Sequence, residues 1–148
     1  MNLRTSEEGL DLIREYEGLR LEAYPDPGTG GEPWTIGYGH TGPEVKEGLE
    51  ISQEQADDWL AEDVEEAIRD AKAVVASFDA LDFARKTVMV NMAFNLGRKK
   101  LSTFHATLAA VNAGDYQSAA LHMLASRWAT QVKGRARELA KRMSTGEI

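Results

Sequence analysis

Glu17, Asp26 and Thr35, two carboxylic acids and a hydroxyl, stand out within one short stretch of this 148-residue chain. The stretch runs Glu17-Gly-Leu-Arg-Leu-Glu-Ala-Tyr-Pro-Asp26, then a Gly/Pro loop, then Trp34-Thr35-Ile-Gly-Tyr-Gly-His40. Glu17 falls where a helix is expected to end, and Asp26 at a turn among short strands, so the two carboxyl groups can face each other across a cleft. Glycoside hydrolysis needs such a division of labour. One carboxyl is held protonated to give its proton to the leaving oxygen, and the other is ionised to activate water or stabilise the cationic sugar. The two environments must push the two pKa values apart. A helix C-terminus disfavours negative charge and so helps keep a carboxyl there protonated.

The elements that must hold these groups are legible from spacing. Thr5 with Glu8 has the form of a capping box, and Leu10, Ile13 and Tyr16 recur at helical intervals. A first helix ending near Glu17-Gly18 follows, glycine being the usual residue past a helix end. From Leu21 to about Thr41, prolines and glycines alternate with short apolar or aromatic pairs, a composition of short strands and tight turns. Ser52 and Gln55 form a second capping box. Beyond it Ala56, Trp59, Leu60, Val64, Ala67, Ile68, Ala71, Val74, Val75 and Phe78 mark one face of a helix, with Asp57, Asp58, Glu62, Asp63, Glu65 and Glu66 as its solvated face. Residues 83–96 are apolar nearly all round and stop at Gly97, as a buried central helix would. Further helices are expected over residues 102–113, 115–129 and 135–144. The fold class expected is α+β, mostly helical. It comprises one domain over residues 1–148, with a small strand lobe at about 18–51 and a larger helical lobe at about 52–148. The N-terminal helix packs on the helical lobe, and the two lobes flank a cleft.

The pattern E-G-x-R/K-L-x-x-Y-x-D followed by T-I-G-x-G-H resembles the catalytic signature of the T-even type phage lysozymes, glycoside hydrolase family 24. Glu17-Gly18, Arg20-Leu21, Tyr24, Asp26 and Thr35 through His40 carry the match. More loosely, Asn91-Met-Ala-Phe94-Asn95-Leu-Gly97 looks like the family's central-helix motif, and Ser126-Arg127-Trp128 with Arg135 like its C-terminal helices. The resemblance implies a lysozyme-like fold and inverting cleavage of the β-1,4 bond from N-acetylmuramic acid to N-acetylglucosamine in bacterial peptidoglycan. Within it Glu17 is the general acid, Asp26 orients or activates water, and Thr35 contacts that water. Thr41, Phe94, Thr107 and His122 match positions that contact sugar. His40 and Arg135 match supporting residues near the catalytic glutamate, Arg135 within salt-bridge reach of it, a pairing that would lower the pKa of Glu17. The loop from Pro27 to Trp34 is longer than the family's usual spacing, which makes Glu32 an alternative to Asp26.

Composition bounds the rest. Cysteine is absent, so neither a disulfide framework nor a thiolate nucleophile exists. His40, His105 and His122 are too scattered for a zinc site, and no phosphate-binding glycine loop or serine nucleophile elbow is visible. No cofactor or metal is expected. The net charge of −7 is unevenly spread: residues 1–83 hold 6 Lys/Arg against 21 Asp/Glu, and residues 84–148 hold 11 against 3. The basic half suits an anionic partner such as a wall polymer. Charged residues interrupt the first twenty positions, so a signal peptide and stable membrane insertion are not expected. The expected setting is the host cytoplasm until lysis and then the cell wall, with a holin for release and a monomer as the working state, late in phage infection or from a prophage. Two rivals stand beside the muramidase. A lytic transglycosylase dispenses with the water-activating carboxylate. A noncatalytic module would bind wall polymer or nucleic acid through the basic half and not need Glu17.

Overall fold

In the computed structural model, which describes residues 13–27 and 29–147, helical residues 13–17 form the end of helix α1. Gly18 terminates it at φ 68°, its N–H bonding the Arg14 carbonyl at 3.0 Å. The Thr5, Glu8 and Leu10 expectations lie outside the described residues. Strand β1 (Arg20–Tyr24) follows and pairs antiparallel with β2 (Thr35–Gly37), in the register Arg20 to Gly37 and Tyr24 to Thr35. The far edge of β1 is covered too: Ala23 N–H bonds the Leu49 carbonyl and Ile51 N–H the Leu21 carbonyl, each at 2.9 Å. Ala23, Ile36 and Val45 bury their side chains together here, with Trp34, Leu49, Ile51 and Trp59 packed around them.

Helix α2 (Gln53–Val74) starts at the expected cap, Ser52 Oγ accepting from Gln55 N–H at 3.1 Å. Ala56, Leu60, Val64, Ala67 and Ala71 form its buried stripe. Each large aliphatic side chain withdrawn in this way contributes roughly 1.5–3 kcal/mol before entropy is charged against it. The helix ends four residues before Phe78, which is buried instead in a separate 3-10 turn, Phe78–Ala80. The apolar face therefore continues past a break that periodicity alone reads through.

Helix α3 (Phe83–Leu101) opens on Asp82, whose side chain accepts from Arg85 N–H, and it buries Val88, Met89, Val90, Met92 and Ala93. Gly97, at φ 82° and ψ 163°, breaks its helical backbone where the apolar run stops. Helix α4 (His105–Asn112) is shorter than the expected 102–113, because residues 102–104 are spent turning the chain after Leu101. The single helix expected over 115–129 is two, α5 (Tyr116–Leu124) and α6 (Arg127–Val132). Ser126 divides them: its Oγ donates to the Met123 carbonyl at 2.6 Å and accepts from Ala129 N–H at 3.2 Å, closing one helix and capping the next. Helix α7 (Gly134–Thr145) packs on α3, α5 and α6 through Ala136, Leu139, Ala140 and Met143. Arg85 secures its end, donating to the carbonyls of Met143 at 2.7 Å and Ser144 at 3.1 Å.

The chain is thus mostly helical with one small antiparallel sheet, the α+β class expected. Its contacts divide within α2, between Glu65 and Glu66, into two compact units. Among the described residues no helix is long and apolar enough to cross a membrane.

Candidate active site

Five of the sequence-predicted residues, Glu17, Asp26, Thr35, His40 and Thr41, lie in the N-terminal unit. Glu17 is half-buried at the last turn of α1. Its carboxylate lies over the turn between β2 and His40: a Cβ added to Gly39 would stand 2.9 Å from Glu17 Oε2. Only glycine leaves that space, and Gly39 also adopts φ 80°, which L side chains resist. The turn is closed by two backbone bonds between Ile36 and His40, at 2.9 and 2.8 Å. Burial pushes the Tyr24 phenol above its ordinary pKa, and the charge of Glu17 adds to that while Arg20 opposes it. Arg20 sits with its guanidinium carbon 4.8 Å from the centre of the Tyr24 ring.

Asp26 lies just beyond the pair Tyr24 and Thr35, so the hairpin register brings its turn to the start of β2. The long loop folds back on Asp26 itself. Asp26 N–H bonds the Gly31 carbonyl at 2.9 Å, and Gly30 N–H bonds the Asp26 carbonyl at 2.7 Å. Thr29 N–H donates to Asp26 Oδ2 at 3.1 Å, and Thr29 Oγ1 donates to the Glu32 carbonyl at 2.7 Å. Glu32 follows this closed turn as an exposed side chain. Thr35, half-buried, opens β2.

His40 is clamped. Its Nδ1 is 2.7 Å from Asp63 Oδ2, its Nε2 is 2.6 Å from Glu44 Oε1, and its ring stacks on Trp59 at 4.3 Å between centroids. The Asp63 hydrogen bond raises its pKa most; burial opposes this and Glu44 adds to it, leaving the imidazole above its ordinary value. With a carboxylate on each nitrogen, the ring ties α2 to the loop after β2, and both contacts favour its protonated form. By spacing alone Asp63 belongs to the solvated acidic face of α2 and Trp59 to its apolar face. The tie depends on which carboxylate of that face lies opposite His40, and periodicity carries no such information. Thr41, next in the chain, is exposed and lines a groove of about 700 Å³ with Glu32, Trp34 and Lys46.

The other four residues lie in the C-terminal unit. Thr107 on α4 and His122 on α5 share a groove of about 650 Å³ with Phe104, Trp128, Lys100 and Arg127. Phe104 was not singled out from the sequence; it meets Trp128 edge to face at 6.3 Å, and Trp128 Nε1 donates to Asn95 Oδ1 at 2.8 Å. Phe94 on α3 is half-buried outside that lining, and Arg135 lies in the first turn of α7.

The family model for phage lysozyme matches residues 14–145. The chain is 36% identical over 130 residues to an endolysin of Bacillus phage B103, covering 82% of this chain and 45% of that protein. It is 35% identical over 124 residues to an endolysin of Acyrthosiphon pisum secondary endosymbiont phage 1, covering 82% and 79%. A peptidoglycan hydrolase, gp36, of Pseudomonas phage phiKMV is 26% identical over 134 residues, and this chain covers 14% of its length. The chain thus spans under half of some of these relatives and most of another. The match takes in both halves of the signature, including the helix end that carries Glu17 and the turn that it overlies; this chain belongs to the phage lysozyme family.

Proposed function

We propose that this chain is a muramidase, hydrolysing the β-1,4 bond from N-acetylmuramic acid to N-acetylglucosamine in bacterial peptidoglycan during host cell lysis. The observation that carries this reading is the seat of Glu17 over Gly39. Two sequence segments that resemble the halves of one catalytic signature meet there, and a glycine leaves the space that a carboxyl needs.

In this reading Glu17 gives its proton to the glycosidic oxygen as the bond to the anomeric carbon breaks. Asp26, held at its turn by Thr29, orients a water for attack on that carbon and takes the proton it releases, and the Thr35 hydroxyl contacts the same water. Attack from the face opposite the leaving group inverts the anomeric configuration. Thr41, Phe94, Thr107 and His122 contact the glycan, and Arg135 supports Glu17. His40 acts through the loop it ties down. The two units form one catalytic domain that works as a monomer, without cofactor, after a holin admits it from the cytoplasm to the wall.

The test is to incubate the protein, Glu17→Gln and Asp26→Asn with purified peptidoglycan, follow clearing, and identify product ends by mass spectrometry. Clearing with reducing muramic-acid ends, lost in both variants, is the expected result. Anhydro ends would replace hydrolysis by transglycosylation, and activity surviving in Glu17→Gln would defeat the assignment of the acid.

A further inference from the structure

The groove that Thr41 lines continues over Trp34, Pro33 and Pro43, to which the proposed reaction gives no role. One wall is Trp34, which packs against Ile36 and Val45 inside the sheet and is therefore held rigid. Pro33 and Pro43 add flat apolar surface, and Glu32, Lys46 and Glu47 also line the groove, offering acceptors and one donor. A rigid indole with prolines beside it and acceptors around it matches a pyranose ring, whose C–H face is apolar and whose edge carries hydroxyl and amide donors. The volume, about 700 Å³, accommodates a sugar ring with an N-acetyl arm. Trp34 and Ile36 bury together in one cluster, whereas Thr35 between them points to the opposite side, as alternation along an extended chain requires. The groove is thus on the other side of β2 from the Thr35 side chain.

We propose that this groove is an additional saccharide site, holding an N-acetylhexosamine of the glycan strand away from the bond that is cut. Trp34 is the stacking platform and Glu32 the acceptor from the sugar edge. The inference rests on the muramidase reading for its substrate class. Because the site touches no reacting atom, it contributes binding that is equal in ground and transition states, and its loss raises KM while leaving kcat in place.

The experiment separates this site from the reaction. Tri-N-acetylglucosamine is titrated into the 148-residue chain carrying Glu17→Gln, and the three tryptophan indole N–H signals are followed by NMR, that of Trp34 being identified by its absence in Trp34→Leu. The expected result is a shift of the Trp34 signal and a loss of roughly tenfold in affinity in Trp34→Leu. Glu32→Gln, on an exposed loop, is the second variant; it keeps the test open if Trp34→Leu fails to fold, and it is expected to weaken binding severalfold. On the Glu17 background of the native enzyme, both changes raise KM for peptidoglycan with kcat within about twofold. A Trp34 signal that stays fixed while others move, or an unchanged KM in a clearing enzyme, overturns the site without touching the muramidase. Binding at Trp34 by a protein that clears no peptidoglycan supports the site and defeats the muramidase.

Discussion

Gly39 and Glu17 are fitted to each other: the carboxylate lies where a side chain at position 39 would begin, 2.9 Å from an added Cβ. The clash would be with the end of a side chain, which moves more readily than backbone. A methyl group at this position therefore displaces Glu17 instead of unfolding the protein.

Gly39→Ala is expected to lower clearing activity by roughly ten- to a hundredfold, since a displacement of about an ångström in a catalytic group costs that much. The φ of 80° adds roughly 1–2 kcal/mol of backbone strain. Thermal melting beside the kinetics separates the two: activity that tracks only the fraction folded would refute the displacement.

The His40 clamp predicts a pH dependence of stability. The folded state holds the imidazole above its ordinary pKa, chiefly through Asp63. That stabilisation is complete below the unfolded-state value of about 6.5 and is lost as pH rises through the raised folded-state value. Glu44, lowered chiefly by the His40 bond, works in the other direction, contributing above its unfolded-state pKa and losing its part in acid. Urea midpoints measured from pH 5 to 9 should fall on the alkaline side in the native protein, and the slope should flatten in Asp63→Asn. Parallel curves for the two proteins would show that the tie carries no linkage.

Thr29 holds the long loop closed around Asp26, donating through its hydroxyl to the Glu32 carbonyl and accepting from Gly31 N–H at 3.2 Å. Thr29→Val removes both bonds and keeps the side-chain shape. The expected cost is about 1 kcal/mol of stability together with a severalfold loss of clearing, the second arising because Asp26 sits in the turn that loosens. Native kinetics in a destabilised variant would place the water-orienting carboxylate outside this turn.

What was legible before any coordinates were the local decisions. Gly18 and Gly97 end helical backbone at the expected places, because glycine alone accepts positive φ without strain. Ser52 caps α2 as its spacing with Gln55 announces, and the proline and glycine content between Leu21 and Thr41 marks the hairpin. Each of these rests on interactions within a few residues along the chain. Ser126 shows the limit of that reasoning: a serine inside an apolar run reads as helix interior until its hydroxyl is seen to close one helix and cap another.

The site shows the same divide. The residue types at Glu17, Asp26 and Thr35 follow from the sequence pattern, since the chemistry they suggest depends on side-chain identity and spacing. That Glu17 lies over Gly39, that Asp63 of an acidic helix face bonds His40 Nδ1, and that the loop after Asp26 folds back on it while Trp34 lines a groove, were decided by the tertiary structure. Each joins groups from different elements, and their meeting depends on how hairpin, turn and helix pack, an outcome settled by the burial of Ala23, Ile36 and Val45 together and not by any local propensity.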